Sequence, residues 1–165
     1  MQVSKKEPIT PEILHNLVER FAQPGASLAD VRTITICLLG FAGFFRYNEL
    51  ASLREADISI FPDHMELFLE SSKTDQYHDG AHIVIARTNS QICPVTMLER
   101  YMSLTGATSS SDKFLFRGLS KTRDGYRLRA SGSLSYSRVR ELVLEKLMAL
   151  GLDKRKFGLH IGYLF

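Results

Sequence analysis

Apolar residues recur with a helical period over most of this chain and alternate with polar residues only in its middle. The helical stretches begin at a capping hydroxyl or a proline, as helix starts usually do. The second stretch is apolar around nearly its whole circumference, which predicts a helix at the centre of the core. The predicted helices run from Pro11 to about Ala22, Leu28 to about Phe44, about Tyr47 to Leu53, about Pro94 to Leu104, and Tyr136 to about Leu150.

Three short segments in the middle of the chain have the period-two pattern of strands. They are Asp57–Phe61, His64–Leu69 and Ala81–Ala86, with a tight turn at Pro62-Asp63 and a long polar connection from Glu70 to Gly80. Short strands joined in this way form an antiparallel meander. We therefore predict an α+β fold, mainly helical with a small three-stranded antiparallel sheet, in a single domain that spans residues 1–165.

The composition is typical of an intracellular globular protein. Hydrophobic residues make up 44% of the 165 residues, and 5 are proline. The two cysteines fit no zinc spacing, and Cys37 lies in an apolar run that predicts an inert core thiol. Lys5 and Lys6 are followed by no apolar stretch of a signal peptide, and the longest apolar run, Ile34 to Phe45, is too short to span a bilayer. We expect no membrane association.

Positive charge is concentrated late in the chain. Between Asp112 and Lys156 there are 12 Lys and Arg against 5 Asp and Glu, a balance of +7 in a chain whose net charge is +3. Within this segment, Gly118 to Gly132 is turn-rich and shows no periodicity. A basic surface that binds a polyanion leaves this footprint, and so does a solvated charged face without a partner. The candidate DNA-binding residues of the stretch are Lys121, Arg123, Arg127 and Arg129.

Arg46, Lys73 and His160 form a set whose chemistry suits a phosphodiester. A guanidinium can contact two phosphate oxygens at once, an ammonium can donate a proton to a leaving oxygen, and an imidazole can assist proton movement. The chain has no HExxH or GxSxG motif and no glycine-rich phosphate loop. His78 and His82 lie four residues apart but have no partners for a zinc site. We therefore predict no metal and no cofactor.

The stretch Phe41-Ala-Gly-Phe-Phe-Arg46-Tyr-Asn-Glu49-Leu-Ala-Ser-Leu53 resembles the first-arginine box of the tyrosine recombinases, the phage-integrase superfamily. The likeness extends from about Glu7 to His160. It implies that Arg46 holds the scissile phosphate, that Glu49 orients its guanidinium, and that Lys73 is the lysine of the hairpin between the second and third strands. His160, in Gly158-Leu-His160, resembles the start of the family's His-x-x-Arg box.

The C-terminus departs from the family pattern. Tyr163 stands where the second arginine of the His-x-x-Arg box belongs, and the chain ends at Phe165, before the family's nucleophilic tyrosine. Tyr163 is a poor candidate for that nucleophile because the family takes its tyrosine from a separate helix further on. The resemblance thus identifies a C-terminally truncated catalytic domain, which we expect to be inactive alone.

The expected function is that of a recombinase or integrase domain acting on double-stranded DNA. In the family, strand cleavage and rejoining proceed through a 3′-phosphotyrosyl intermediate without metal or cofactor. Other recombinase protomers are expected partners, and the compartment would be nuclear in a eukaryote and otherwise cytoplasmic. Three alternatives stay open: a non-catalytic DNA-binding or regulatory remnant of a mobile element, a type IB topoisomerase-like enzyme, and a helical domain without a DNA role.

Overall fold

The computed structural model describes residues 7–43, 45–70 and 80–157. Its helices in these ranges alternate with two small groups of strands, in the order helices, three strands, one helix, two strands, one helix. The helices are α1 (Pro11–Phe21), α2 (Leu28–Gly43), α3 (Tyr47–Ser52), α4 (Pro94–Thr105) and α5 (Tyr136–Ala149). The strands are β1 (Ile58–Ile60), β2 (His64–Leu69), β3 (Ala81–Ala86), β4 (Leu119–Thr122) and β5 (Gly125–Leu128). The predicted α+β class is confirmed.

Side-chain hydroxyls fix the starts of three helices. The oxygens of Thr10, Ser27 and Ser135 accept hydrogen bonds from the amides of Ile13, Asp30 and Arg138, each at 3.2 Å. Each hydroxyl satisfies one of the amides that a first helical turn leaves without a partner, as expected of an N-cap. These helices begin at the residues that the sequence predicts.

Helix α2 is the centre of the core. Its residues from Val31 to Gly40 are all buried, and it contacts each of the other four helices. Because the apolar positions cover the whole circumference, no face of this helix needs to meet water. The predicted central helix is confirmed. Its place matters for the site, since the chain leaves α2 directly into the segment that carries Arg46.

The three-stranded sheet has the order β1-β2-β3 with antiparallel neighbours. Ile58 pairs with Leu67, and β2 pairs with β3 from His64↔Ala86 to Leu69↔Ala81. Met65, Leu67 and Leu69 are buried on the face of β2 that packs against the helices. Period-two alternation therefore predicts both the strands and their inward face.

The segment from Gly118 to Gly132 differs from the prediction. It contains a second sheet, in which β4 and β5 form an antiparallel hairpin from Leu119↔Leu128 to Thr122↔Gly125. Polar residues lie on both faces of this hairpin, so alternation is absent from the sequence although strands form. The turn at Arg123-Asp124 leads into Gly125 at φ 139°, a backbone conformation that favours glycine.

The two cysteines are both buried but have different electrostatic surroundings. Burial raises the pKa of Cys37 to about 12, which agrees with an inert core thiol. Burial opposes ionisation of Cys93 as well, but hydrogen bonds from Thr96 and from the Thr88 amide outweigh it and lower the pKa of Cys93 to about 7.

We therefore expect one of the two thiols to ionise near neutral pH in the folded protein. A titration followed by the ultraviolet absorbance of the thiolate should show one ionisation near pH 7, at about the value for Cys93. The variant Cys93→Ser should lose that step and Cys37→Ser should keep it. A step that survives in Cys93→Ser would contradict the assignment.

Candidate nucleic-acid interface

Arg46 lies at the sharp bend between α2 and α3. Phe45 is buried, and its ring occupies the space where a side chain at Gly43 would lie, since an added Cβ would be 2.2 Å from Phe45 Cε2. The close approach of this ring therefore requires glycine at residue 43. Arg46 follows with an extended backbone (φ −71°, ψ 146°) and an exposed side chain at the start of α3. The bend thus brings an arginine to the surface directly after the most buried helix.

The Glu49 carboxylate holds the start of α3. Its Oε1 accepts a hydrogen bond of 3.0 Å from the backbone amide of Arg46. A carboxylate at this position satisfies a free amide and lies favourably at the positive end of a helix. The contact fixes the backbone from which the Arg46 side chain leaves, while orientation of the guanidinium itself by Glu49 stays a prediction.

Tyr47 ties the same bend to the segment that precedes α5. Its side chain is 1% exposed, and its hydroxyl donates a hydrogen bond to the carbonyl of Leu134. Burial raises the pKa of this hydroxyl, so it stays a neutral donor. The ring also lies 6.2 Å, centroid to centroid, from that of Tyr136. The residue beside Arg46 is therefore anchored next to the start of α5.

The basic hairpin, defined here as residues 119–129, carries all four predicted DNA-binding cations, and each is exposed. Lys121 pairs with Tyr126 across the strands, so these two share a face, and Arg127 lies on the opposite face. Arg129, two residues after Arg127, continues the Arg127 side, and Arg123 lies in the turn. The hairpin therefore divides the cations between two faces and its tip.

A polar cleft of about 680 Å³ lies between the first turns of α2 and α5 and the base of the basic hairpin. Its basic lining residues outnumber its acidic ones, Asp30 and Glu145, and Lys146 is already paired with Asp30 at 2.5 Å. The positive end of the α5 dipole adds to this field. The basic residues of the lining are Arg32, Arg129, Arg138 and Lys146.

Beneath the cleft lies a buried charged network that sequence reasoning missed. Arg117, counted above within the basic segment, is 5% exposed and pairs with Glu55 at 3.2 Å. Arg32 is 4% exposed and donates from Nη1 to the Arg117 carbonyl at 2.9 Å. Burial, and then the nearby Arg138, lower the pKa of Arg32. One signal was available: Arg117 directly follows the apolar run Phe114–Phe116.

Two predicted site residues, Lys73 and His160, lie outside the described residues, as does Tyr163. Their convergence with Arg46 on one basic surface therefore stays a prediction. In the described ranges, no group of three or more His, Cys, Asp or Glu side chains could hold a metal ion. None of the helices within those ranges is long and apolar enough to cross a membrane.

Comparison with known proteins finds one relative by sequence and several by fold. No protein-family model matches the chain. An integrase/recombinase xerD homologue of Selenomonas ruminantium is 29% identical over 156 residues, which cover 94% of this chain and 43% of that protein.

Two crystal structures of the XerH site-specific recombinase show the same fold. The pre-cleavage complex with difH substrate superposes with a TM-score of 0.59 at 14% identity and covers 98% of this chain and 41% of that one. The post-cleavage complex with palindromic difH substrate has a TM-score of 0.59 at 13% identity, with 97% and 40% covered. The chain thus spans less than half the length of these proteins. The sequence similarity to the integrase/recombinase homologue and the fold shared with XerH both support the tyrosine recombinase superfamily.

Proposed function

We propose that this chain binds double-stranded DNA as the catalytic-domain portion of a site-specific recombinase, and that Arg46 contacts the phosphate at which strands are exchanged. The observation that carries the proposal is the placement of Arg46. It is an exposed guanidinium at a bend fixed from three sides, by Phe45 against Gly43, by Glu49 on the Arg46 amide and by Tyr47 on Leu134. Such fixing suits a group that must meet a phosphate in one geometry.

The chemistry that this arginine supplies is charge stabilisation. The planar guanidinium stays ionised and can donate to two non-bridging oxygens, whose negative charge grows as the phosphorus becomes five-coordinate. Lys73 would protonate the leaving oxygen and His160 would assist that transfer. A nucleophilic tyrosine then stores the bond energy as a phosphotyrosyl link, so the reaction needs no metal. Within residues 1–165 we propose that binding, not cleavage, is the activity.

DNA backbone contacts beyond that phosphate come from the basic hairpin and the cleft beside it. Arg127 and Arg129 lie on one side of the hairpin, and Arg129 also lines the cleft at the start of α5. Tyr47 places Arg46 next to the same region through its contact with Leu134. A duplex that reaches Arg46 therefore passes close to the base of the hairpin.

Binding should be weak, on the order of micromolar or poorer, and largely independent of sequence, because phosphate contacts dominate it. Each cation that neutralises a phosphate adds roughly 0.9 to the slope of log affinity against log salt. The double variant Arg127→Ala/Arg129→Ala should therefore flatten the slope by up to about 2. Fluorescence anisotropy of a short labelled duplex at several salt concentrations measures this slope.

The matched control removes two cations from another surface. Arg140 and Lys154 line a second groove along α5 and do not line the cleft. Arg140→Ala/Lys154→Ala should leave the slope unchanged although the net charge falls equally. An equal loss in both double variants would show general attraction to a basic protein, and no binding at low salt by the folded chain would refute the proposal.

The non-catalytic alternative has one observation in its favour. Tyr163 stands where the resemblance places the second phosphate-binding arginine. A chain with one arginine of the pair can still occupy DNA, and thereby compete with a complete recombinase for its site. Added to an active recombinase of the same family, this chain would then inhibit strand exchange, and Arg46→Ala would relieve the inhibition.

A further inference from the structure

A buried ion pair joins the segment that follows α3 to the base of the basic hairpin. Glu55 begins a short 3-10 turn shortly after α3, and Arg117 is separated from β4 by Gly118 alone. Their side chains are 5% and 6% exposed, and Arg117 Nη2 is 3.2 Å from Glu55 Oε1. The second carboxylate oxygen of Glu55 accepts from the Thr108 amide at 3.1 Å. Both carboxylate oxygens of Glu55 therefore have a partner.

The other end of the Arg117 guanidinium holds the hairpin. Its Nη1 donates to the carbonyl of Arg129 at 2.6 Å. The amide of Arg129 in turn donates to the carbonyl of Gly118 at 2.8 Å, which closes the hairpin at its base. The Arg117 side chain therefore links Glu55 to the backbone of Arg129, whose own side chain is a predicted DNA-binding cation.

Three further hydrogen bonds hold Arg117 and the segments beside it in place. Arg32 in the central helix donates to the Arg117 carbonyl, so α2 fixes the backbone of the residue whose side chain fixes the hairpin. On the other side, the Leu115 amide donates to the Leu53 carbonyl and the Glu55 amide to the Lys113 carbonyl, both at 2.9 Å. The end of α3 and the strand-like approach to Arg117 are therefore held together along their backbones.

The residue types in this network indicate that it positions the hairpin rather than adding to the stability of the fold. A buried ion pair often stabilises a fold no more than apolar residues of the same volume. Here two guanidiniums and one carboxylate are buried: Glu55 pairs with Arg117, while Arg32 donates to the Arg117 carbonyl. The network therefore carries an excess positive charge. Apolar side chains could fill this space, but they could not hold the Arg129 carbonyl in a defined place.

We propose that Glu55 and Arg117 are positioning residues that set the base of the basic hairpin against the α3 segment, so that Arg129 meets a DNA phosphate while Arg46 meets the scissile one. This inference rests on the proposed DNA-binding function. The phosphate spacing along a DNA strand is fixed, so two arginines on separate elements can bind together only if the elements keep their distance.

A double-mutant cycle tests the coupling on the full chain. In the unsubstituted protein, Arg129→Ala should lower the salt slope by up to about 0.9. In the background Glu55→Met/Arg117→Met, which removes both charges together, the same substitution should lower the slope by close to zero. Arg46→Ala should have the same effect in both backgrounds, because α3 is held separately by Tyr47 and Glu49.

A second variant keeps the ion pair and removes only the bridge. Arg117→Lys keeps a positive charge opposite Glu55, but one ammonium lacks the fork that reaches both the carboxylate and the Arg129 carbonyl. In the Arg117→Lys background, as in Glu55→Met/Arg117→Met, we expect Arg129→Ala to lower the salt slope by close to zero. Hydrogen exchange at the Arg129 amide, measured without DNA, should also be faster in Arg117→Lys than in the unsubstituted chain.

The outcomes separate the two proposals. If the unsubstituted chain shows no salt-dependent binding, the proposed function fails and this inference fails with it. If that chain binds and Arg129→Ala lowers the slope equally in all three backgrounds, the positioning role alone is wrong. The positioning role is supported if Arg129→Ala lowers the slope in the unsubstituted chain but not in Glu55→Met/Arg117→Met or in Arg117→Lys. The effect of Arg46→Ala on the slope should stay the same.

Discussion

Replacement of Glu55 by alanine is expected to lower the free energy of unfolding by about 3–5 kcal/mol, because it leaves the buried guanidinium of Arg117 without its charge partner. The Thr108 amide loses its acceptor in the same step. Most single substitutions cost far less, and a loss of this size is a large part of the about 5–15 kcal/mol that stabilises a typical domain. Urea denaturation followed by circular dichroism measures it.

The exposed pair Arg138–Glu141 provides the control. Its atoms are 3.1 Å apart, close to the 3.2 Å of the buried pair, but the side chains are 55% and 64% exposed. Glu141→Ala should therefore cost no more than about 0.2–0.5 kcal/mol, as for other ion pairs on helix surfaces. Glu55→Met/Arg117→Met should recover much of the stability lost in Glu55→Ala, because no unpaired buried charge remains. If Glu55→Ala and Glu141→Ala lower the free energy of unfolding equally, burial of the Glu55–Arg117 pair does not affect stability.

Much of the fold follows from local sequence signals. The alternation in His64–Leu69 and Ala81–Ala86 gives β2 and β3 to the residue, because one face of each pairs with the core and the other meets water. The hydroxyls of Thr10 and Ser135 mark helix starts because few residue types can satisfy the first free amides. Gly151 follows α5 at φ 84°, the left-handed conformation in which a glycine commonly ends a helix.

The hairpin and the buried arginines could not be read in the same way. Strands β4 and β5 are stabilised by pairing with each other and by packing of Leu128 against the core, so their exposed positions carry no pattern. A charge count treats each arginine as surface, yet the charge of Arg117 is taken up by Glu55, 62 residues away in sequence. Lys146 is likewise paired with Asp30 across 116 residues. No local pattern identifies the partners of such long-range pairs, although the apolar run Phe114–Phe116 directly before Arg117 is a signal that this arginine is buried.

For the site, the residues around Arg46 were more informative than the arginine itself. The sequence on either side of Arg46 predicts the buried helix α2 and the short helix α3 that the structure contains, and it singles out Glu49. The role of Glu49 differs in detail, since the observed contact is with the Arg46 amide. The clustering of four cations in sequence predicts the basic hairpin as a surface, but only the strand register shows that Lys121 and Arg127 face opposite ways.

No covalent adduct with DNA is expected from residues 1–165. Transfer to a tyrosine requires a hydroxyl that reaches the phosphorus and loses its proton there. Tyr47 and Tyr101 are 1% and 0% exposed, and their hydroxyls donate to the carbonyls of Leu134 and Leu115. Burial raises the pKa of both hydroxyls, and it also raises the pKa of Tyr136. Among the described tyrosines, only Tyr126 is largely exposed, at 47%.

A second reason to expect no covalent adduct is the absence of the second arginine's positive charge. The resemblance places Tyr163 where the family has its second arginine. Loss of one donor that stabilises an oxyanion costs on the order of 10²–10³ in rate. A nicked suicide duplex traps any phosphotyrosyl link, and denaturing electrophoresis then separates the adduct from bound DNA. The reaction should be run at a salt concentration at which anisotropy shows the duplex bound, so that failure to bind does not imitate failure to cleave. An active tyrosine recombinase on its own site serves as the positive control. An adduct that persists under denaturation and disappears in Tyr126→Phe or Tyr163→Phe would show that this chain carries its own nucleophile.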